Sequence, residues 1–467
     1  MDAPTPRNGR LTLDALREEV RLGRVETVAL ALVDMQGRLK GKRYDAGHFV
    51  EKVVDGGSQM CAYALATDVD MRPLPGYALS SWDTGYGDLH LTPDPATVRV
   101  LPWWPGTALV HADATIDGRP VAVAPREMLR RELALLAERG LSVRTGLETE
   151  FALYEGTYDA VAAGRAGLRP VTGRNRDLAL DHDDRTDTFL RGLGAAMRGA
   201  GLPLEAAKTE AGPGQVEITF PYGEALAACD GHVLFKHAVR HMGTRAGLAP
   251  TFMAVPAPGV GSGLHLHLSL WSGAKGAKGD KDDEPVVPDA GGELSATGRH
   301  AVAGLLAALP ELTPLYAPNV NSYRRYVSES FAPTAFTWGF DNRTCAVRVV
   351  GRGRGLHLEI RLPGADANPY LALTAALAAI RHGLDHTLEP PPAVTGSAYG
   401  QDAPPVPTGL AAALDRFRAG ALAKELLTEE VATHYARAAE VEVEALGAVA
   451  EAEEVTDEEV RRWWEYA

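Results

Sequence analysis

Apolar and polar positions along the chain predict an ordered series of elements. In residues 11–24 (LTLDALREEVRLGR), Leu13, Leu16 and Val20 fall on one stripe at helical spacing. Residues 25–33 are β-rich and end at the turn signal Asp34-Met35-Gln36-Gly37, with a basic segment running on to Arg43. A Pro- and Gly-studded region over 72–95 leads to a short strand at 98–102, and Asp117-Gly118 predicts a hairpin turn within 110–125. From Pro125 a helix is expected to about Arg139, with Leu129, Leu133 and Leu136 on one face and Gly140 at its stop. Further helices are expected at 186–200, 224–247 and 296–309. The segment 272–292 (SGAKGAKGDKDDEPVVPDAGG) is low in complexity and reads as an exposed, mobile loop. A Pro-rich link over 389–409 precedes a helical section at 410–466. No internal repeat is visible, and the change of pattern near residue 112 divides the chain into 1–112 and 113–467.

Four short segments alternate strictly. In 144–153, Glu148 and Glu150 share one face and Leu147, Phe151 and Leu153 the other. In 214–220, Glu217 and Thr219 oppose Val216, Ile218 and Phe220. In 264–270, His265, His267 and Ser269 oppose four leucines, and in 356–362, His357, Glu359 and Arg361 oppose Leu356, Leu358, Ile360 and Leu362. Side chains alternate across a strand, so each segment presents a polar row over an apolar underside. One such strand is explained by solvated charges on an antiparallel sheet. Four rows carrying Glu, His and Arg point instead to a common cavity that gathers Glu148, Glu150, Glu210, Glu217, His265 and Glu359. Five carboxylates there would repel one another unless cations neutralised them, and a set of five oxygens and one nitrogen suits Mg²⁺ or Mn²⁺ better than zinc.

Between these strands lie Arg324, Arg325, Arg343, Arg348, Arg352, Arg354 and Arg361, guanidinium groups able to hold carboxylate or phosphate. About half of such a set is expected to be surface arginine, Arg352 and Arg354 foremost, because they sit in the glycine-rich loop 351–355. The run 259–263 (GVGSG) is no phosphate loop of the Walker type: no Gly-Lys-Ser/Thr follows, and a strand rather than a helix comes next.

Composition narrows the class. The 467 residues, 45% of them hydrophobic, suffice for a large core, and the net charge of −14 argues against a duplex nucleic-acid binder or attraction to an anionic membrane. Three scattered cysteines draw neither a disulfide framework nor a zinc pattern, which suits a reducing cytoplasm. The N-terminus lacks an apolar signal core, and the longest apolar stretch, 371–380, is half a membrane span.

Read in order, the segments resemble the glutamine synthetase family over nearly the whole chain. The stretches 28–42 (VALALVDMQGRLKGK) and 88–103 (DLHLTPDPATVRVLPW) resemble its N-terminal β-grasp. The motifs GLETEF (146–151), PGQVE (213–217), GSGLHLHLSL (261–270), NSYRR (321–325), Asn342-Arg343 and NPYL (368–371) resemble its catalytic domain. The resemblance implies an α+β fold, with a β-grasp domain followed by a catalytic domain whose curved antiparallel sheet, a half-barrel, is backed by helices. It implies that Glu150, Glu210 and Glu217 hold one metal and Glu148, His265 and Glu359 a second. It gives Arg325 the glutamate α-carboxylate, Arg361 the γ-carboxyl and Gly261 a backbone contact in that pocket. It gives Arg343 and Arg348 the phosphoryl group in flight, and His267, Ser269 and His357 places along ATP. The implied reaction is ATP-dependent amide formation through γ-glutamyl phosphate, in a ring-shaped homo-oligomer such as a dodecamer whose sites are shared between neighbours.

The chain departs from that pattern at the amine. Ammonia-using members carry a flap glutamate six residues after the arginine of the NSYKR motif; here the position is Phe331, and Glu329 is the nearby alternative. Where their Asp-Gly-Ser-Ser loop is expected, the nearby stretch is SQMCAYALAT (58–67), without an acid; Asp55-Gly56-Gly57-Ser58 is the alternative, a displaced remnant, and Asp68 is the next acid. Lys208-Thr209 stands where paired histidines are usual, Val260 where an Asn meets glutamate, and His357 where an Arg reaches ATP. Retained phosphoryl chemistry with a changed nucleophile site implies a glutamate–amine ligase for ethanolamine, a polyamine or another small amine. A glutamine synthetase using ammonia is the alternative, and a catalytically inactive structural member a more distant one.

Overall fold

The computed structural model describes residues 9–164, 167–273 and 283–467. The helix Leu13–Arg21 forms on its apolar stripe, with the Thr12 side chain accepting from the Ala15 N–H as its cap. The first sheet contains β1 (Thr27–Val33), β2 (Leu39–Asp45), β3 (Ser58–Cys61), β4 (Asp88–Pro93), β5 (Arg99–Val100), β6 (Thr107–Ile116) and β7 (Arg119–Pro120). Its order is β2-β1-β6-β4-β3, with β5 and β7 also paired to β6; β1 and β6 run parallel and the other pairs antiparallel. β1 is buried through Val33 because it is the apolar centre of this sheet, while β2 at the edge carries Lys40, Lys42 and Arg43. Asp117 and Gly118 both have positive φ and make the predicted turn between β6 and β7.

The second sheet contains β8 (Leu141–Ala152), β11 (Ala206–Thr209), β12 (Gln215–Thr219), β13 (Gly223–Glu224), β14 (Leu264–Ser272), β15 (Trp338–Phe340), β16 (Val347–Val350) and β17 (His357–Ile360). A separate ribbon pairs β9 (Tyr154–Glu155) with β10 (Arg169–Pro170). The large sheet runs β11-β12-β8-β14-β17-β16-β15, with β13 paired to β8. Its pairs are antiparallel except β15 with β16, so the expected all-antiparallel sheet is mixed at one edge. The helices Pro125–Ala137 and Ala225–Arg245 pack against β8, and Pro369–Asp385 packs against both and against Ala296–Ala308. Residues 369–380 are buried throughout, as the apolar run 371–380 suggested. Among the described residues no helix is long and apolar enough to cross a membrane.

Two polar knots join the first sheet to the rest. Arg126 is buried and donates to Asp230 (3.0 Å), Asp113 (2.6 Å) and Asp94 (2.7 Å), while the Tyr370 hydroxyl donates to Asp230 at 2.6 Å. Asn368 caps the helix Pro369–Asp385 and donates through Nδ2 to the Asp34 and Met35 carbonyls, both at 3.1 Å.

Other expectations are revised. Residue 112 lies inside β6, and the strands of the first sheet continue to Pro120, because β6 pairs along its whole length with β1, β4 and β7. The region 72–95 contains β4, whose alternating Leu89 and Leu91 bury against β6. In the segment read as a mobile loop, residues 274–282 lie outside the described residues, but Pro285 and Val287 are buried; Pro285 bridges Trp271, so apolar side chains draw this part back onto the protein. The last section divides into helices Leu410–Ala419, Leu422–Leu427, Glu429–Leu446 and Asp457–Trp463.

Candidate active site

Register turns four separate polar rows into one surface. In β11, β12 and β8, Lys208 pairs with Glu217 and Glu217 with Glu150. In β12, β8 and β14, Thr219 pairs with Glu148 and Glu148 with His265. In β14, β17 and β16, His267 pairs with Glu359 and Glu359 with Arg348. Directly paired residues project to the same face, so the Glu, His and Arg rows converge while the leucines beneath them are buried.

Two carboxylate-rich trios result, each with ligand atoms within 4.8 Å of one another: Glu150, Glu210 and Glu217, and Glu148, His267 and Glu359. The first matches the expected set. The second contains His267 where His265 was expected, and the hydrogen bonds show why. His357 Nδ1–H donates to the Gly355 carbonyl (2.7 Å), so its Nε2 accepts from His267 Nδ1–H (3.0 Å). That leaves the His267 Nε2 lone pair facing Glu148 Oε2 at 3.8 Å. His265 instead donates from Nδ1 to Glu148 Oε1 (2.6 Å), with Nε2 turned toward Arg325 Nη2 (3.4 Å). A lone pair aimed at carboxylate oxygens is the arrangement that a cation held between them would satisfy.

The charges tell the same story. Burial, and then repulsion from Glu210 against the pull of Arg325, pushes the Glu150 carboxyl up to about 7. Burial and the neighbouring Glu148 raise Glu217, with Lys208 opposing the rise. Burial also works against ionising Glu148, but the hydrogen bond from His265 outweighs it and holds its carboxyl low. Burial and the nearby Arg361 hold His265 down to about 4, leaving a neutral ring. Glu150 and Glu217, crowded carboxyls that resist ionisation, and Glu148, which stays ionised beside the neutral His265 ring, form a donor set that fits divalent cations.

The expected arginines separate into two groups. Arg325 is buried, donating to the carbonyls of Arg361 (3.1 Å) and Leu362 (3.0 Å). Its guanidinium lies over Gly263, where a Cβ would come within 2.8 Å of Nη2, and its Cγ is 3.7 Å from the Cβ position of Gly261. Arg361 pairs with Glu359 and reaches the Phe331 carbonyl at 3.5 Å. Arg348 bridges Glu359 (2.8 Å) and the exposed Asp341. Arg343 is exposed at the rim, its carbonyl accepting from Arg361. Arg352 and Arg354 are exposed, as their loop suggested. Arg324 turns away from the cavity, donating from Nε to Glu459 at 2.7 Å and to the Ala452 carbonyl.

Beside the second trio a cavity of about 550 Å³ is lined by His267, Ser269, His357, Tyr222, Trp271 and Arg144. The Arg144 guanidinium lies 3.7 Å from the centre of the Trp271 ring, so this wall combines an aromatic surface with positive charge. On the flap, Phe331 is 64% exposed and Glu329 is exposed too, and both have positive φ. Asp68 is buried, accepting from the Arg72 N–H and Nε at 2.8 Å.

Gln215 and Asp341 were not singled out in the sequence, and Lys208 was noted there only as a departure from the family pattern, not as a member of the site. Gln215 donates from Nε2 to Glu150 Oε2 (3.0 Å) and to the Gly261 carbonyl (2.7 Å), tying the first trio to the glycine turn. Lys208 pairs with Glu210 and, at 3.1 Å, with Glu217. Asp341 anchors Arg348. Gln215 and Lys208 each stand two residues from an expected ligand on a strand or its end, and that same-face spacing was the available signal. Asp341 lay outside the alternating segments and gave none.

Residues 122–462 match the family model for the glutamine synthetase catalytic domain. The chain is 45% identical over 457 residues to gamma-glutamylethanolamide synthetase of Streptomyces coelicolor, covering 97% of this chain and 96% of that one. It is 32% identical to glutamate–isopropylamine ligase of a Pseudomonas species, over 90% of this chain and 92% of the relative. Gamma-glutamylputrescine synthetase of Escherichia coli matches at 32% identity over 88% and 87%. A solved GmaS–ADP complex superposes with a TM-score of 0.79 and 27% identity, covering 93% of this chain and 96% of that one. With these motifs, this sheet and matches along nearly its whole length, the chain belongs to the glutamine synthetase family.

Proposed function

We propose that this protein is an ATP-dependent ligase joining the γ-carboxyl of glutamate to a small carbon-bearing amine through γ-glutamyl phosphate. The observation that carries this reading is the pair of acid-rich trios meeting Arg325, Arg348 and Arg361 across adjacent strands. Similarity to ligases for ethanolamine, isopropylamine and putrescine supports an organic amine.

Glu150, Glu210 and Glu217 would hold one Mg²⁺ or Mn²⁺, and Glu148 and Glu359 with the histidine pair His265 and His267 a second. When bound, such ions neutralise charge on the carboxylates and on the transferring phosphoryl group. The cavity at His267, Ser269 and His357 takes ATP, with Trp271 and Tyr222 offering apolar surface to the base. Arg325, buried under Gly261 and Gly263, holds the α-carboxylate, and Arg361 orients the γ-carboxyl. A γ-carboxylate oxygen attacks the terminal phosphorus and ADP leaves. Arg348 and Arg343 stabilise charge on the group in flight. The amine nitrogen then attacks the acyl carbon, phosphate departs, and the nitrogen loses a proton. Holding donor and amine together also keeps water from the acyl phosphate.

The flap sets the choice of amine. Ammonium gains its binding from charge, and the Phe331 ring supplies none, whereas each buried CH₂ of a larger amine contributes about 0.8 kcal/mol. Glu329 is the flap acid available to a hydroxyl or second amino group at the far end.

We also assign the N-terminal part of the chain to a β-grasp domain whose sheet runs on past residue 112 to Pro120, and the remainder to a catalytic domain on a curved half-barrel. A cytoplasmic homo-oligomeric ring, a dodecamer among its forms, would close each site with a neighbour's N-terminal domain. The deciding experiment measures γ-glutamyl product with ammonium, methylamine, ethanolamine and putrescine, for wild type and Phe331→Glu. Wild type should prefer a carbon-bearing amine and the variant should gain ammonium use. Preference of the wild type for ammonium would favour a glutamine synthetase and sink the specificity argument.

A further inference from the structure

Among residues that do not line the cavity described above, the helix Pro369–Asp385 ends in a different polar arrangement. His382 lies on its last turn and His386 at its C-cap, four residues apart and hence on the same side of a helix. Glu425 reaches the pair from the neighbouring helix Leu422–Leu427, and the three side chains each offer a ligand atom within 4.8 Å of the others. The first helix has 17 residues, so at 1.5 Å per residue this cluster stands roughly 25 Å from the Asn368 end that meets the first sheet.

Three features prepare the cluster for a cation. His386 Nδ1–H donates to the His382 carbonyl at 3.0 Å, which fixes the tautomer and leaves the Nε2 lone pair free. His382 Nδ1 is shielded from solvent yet has no hydrogen-bond partner among the described residues, an orphan that a metal bond would satisfy. Burial and the adjacent His386 also hold the His382 ring below its ordinary pKa, so it is neutral at neutral pH. Finally, the C-terminal end of a helix carries partial negative charge and favours cations. The facing charges leave Glu425 available: Asp385 is taken up by Arg139 at 2.6 Å, and Arg381 by Glu132 at 3.0 Å.

We propose that His382, His386 and Glu425 form a second kind of metal site, one that takes Zn²⁺ or a similar borderline transition ion and clips the helix Leu422–Leu427 to the end of Pro369–Asp385. Two imidazoles and one carboxylate are a zinc-type donor set; Mg²⁺ prefers all-oxygen surroundings. With zinc–nitrogen bonds near 2.0–2.1 Å, tetrahedral ligands stand roughly 3.3 Å apart. Glu425 is exposed, so rotation of its side chain narrows the gap while His386 keeps its bond to the His382 carbonyl and neither helix moves. Three protein ligands leave a fourth position for water.

The test is calorimetric titration of Zn²⁺ into the full-length protein at saturating Mg²⁺, with wild type, His386→Ala and Glu425→Gln compared. All three should have the same unfolding midpoint in Mg²⁺ alone, since the altered side chains are exposed. Wild type should bind one more Zn²⁺ per chain than His386→Ala, and Zn²⁺ should raise the unfolding midpoint of wild type more than that of the variant. Glu425→Gln should weaken this binding by at least the roughly 10-fold that loss of an outer-shell partner costs. Equal Zn²⁺ stoichiometry and equal midpoint shifts in wild type and both variants would overturn the proposal. If His386→Ala alone lowers the midpoint in Mg²⁺, the comparison with Glu425→Gln decides by the same criteria.

Discussion

Glu459 offers a sharp test of how the C-terminal segment supports the site. It is fully buried on the helix Asp457–Trp463 and accepts from Arg324 Nε (2.7 Å) and Nη2 (3.1 Å), from Asn321 Nδ2 (3.0 Å) and from the Thr456 N–H (2.8 Å). Arg324 and Asn321 belong to the turn Asn321–Arg325, which ends in the arginine assigned to glutamate. Removing a buried charge partner leaves the other uncompensated, at about 3–5 kcal/mol, and the lost capping box adds about 1 kcal/mol. Glu459→Ala should therefore remove a large part of a stability that is typically 5–15 kcal/mol. Glu459→Gln keeps the shape and an acceptor but gives up the charge, for roughly 2 kcal/mol. The assay is urea unfolding of Glu459→Gln together with separate KM values for glutamate and ATP. The midpoint should fall, and KM for glutamate should rise, tenfold for each ~1.4 kcal/mol of lost affinity, while KM for ATP stays near wild type. An unchanged midpoint would refute the ion-pair argument. A lowered midpoint with unchanged glutamate KM would show that the turn holds Arg325 without Glu459.

Glu150→Ala and Glu217→Ala should each abolish ATP turnover with glutamate while retaining the native circular dichroism spectrum; near-normal turnover at saturating Mg²⁺ and Mn²⁺ would remove the first trio from the mechanism. Lys208 places an ammonium between Glu210 and Glu217, where it competes with an incoming ion, so Lys208→Met should tighten Mn²⁺ binding measured by electron paramagnetic resonance, and weaker binding would contradict that competition. Burial holds His237 down to about 4, and its Nδ1 accepts from Trp103 Nε1 at 2.9 Å. The unfolded ring, near 6.5, binds the proton more readily, so His237 contributes stability above pH 6.5 that is lost as pH falls toward 4. Urea midpoints across that window should decline more steeply for wild type than for His237→Asn, and parallel profiles would argue against it.

The alternation of Glu, His and Arg with leucines determined which face of each strand is polar, because the pleat imposes a period of two and apolar side chains must leave water. The helices at 184–199, 225–245 and 296–308 were legible within two residues from their apolar spacing and caps. Registry was not legible: it arises from pairing between segments far apart in sequence. Only the folded sheet decided that Glu217 stands against Glu150, or that a histidine relay through His357 aims His267 at Glu148. Local sequence likewise could not sort arginines or acids by partner. Arg324 and Arg325 are adjacent, yet one is taken by Glu459, 135 residues away, and the other faces the cavity. Asp68 is spent on Arg72, whereas Lys208 enters the site because β11 pairs with β12. Side-chain chemistry was written along the chain, but charge partners are set by distance in space, and those distances exist only once the sheet is assembled.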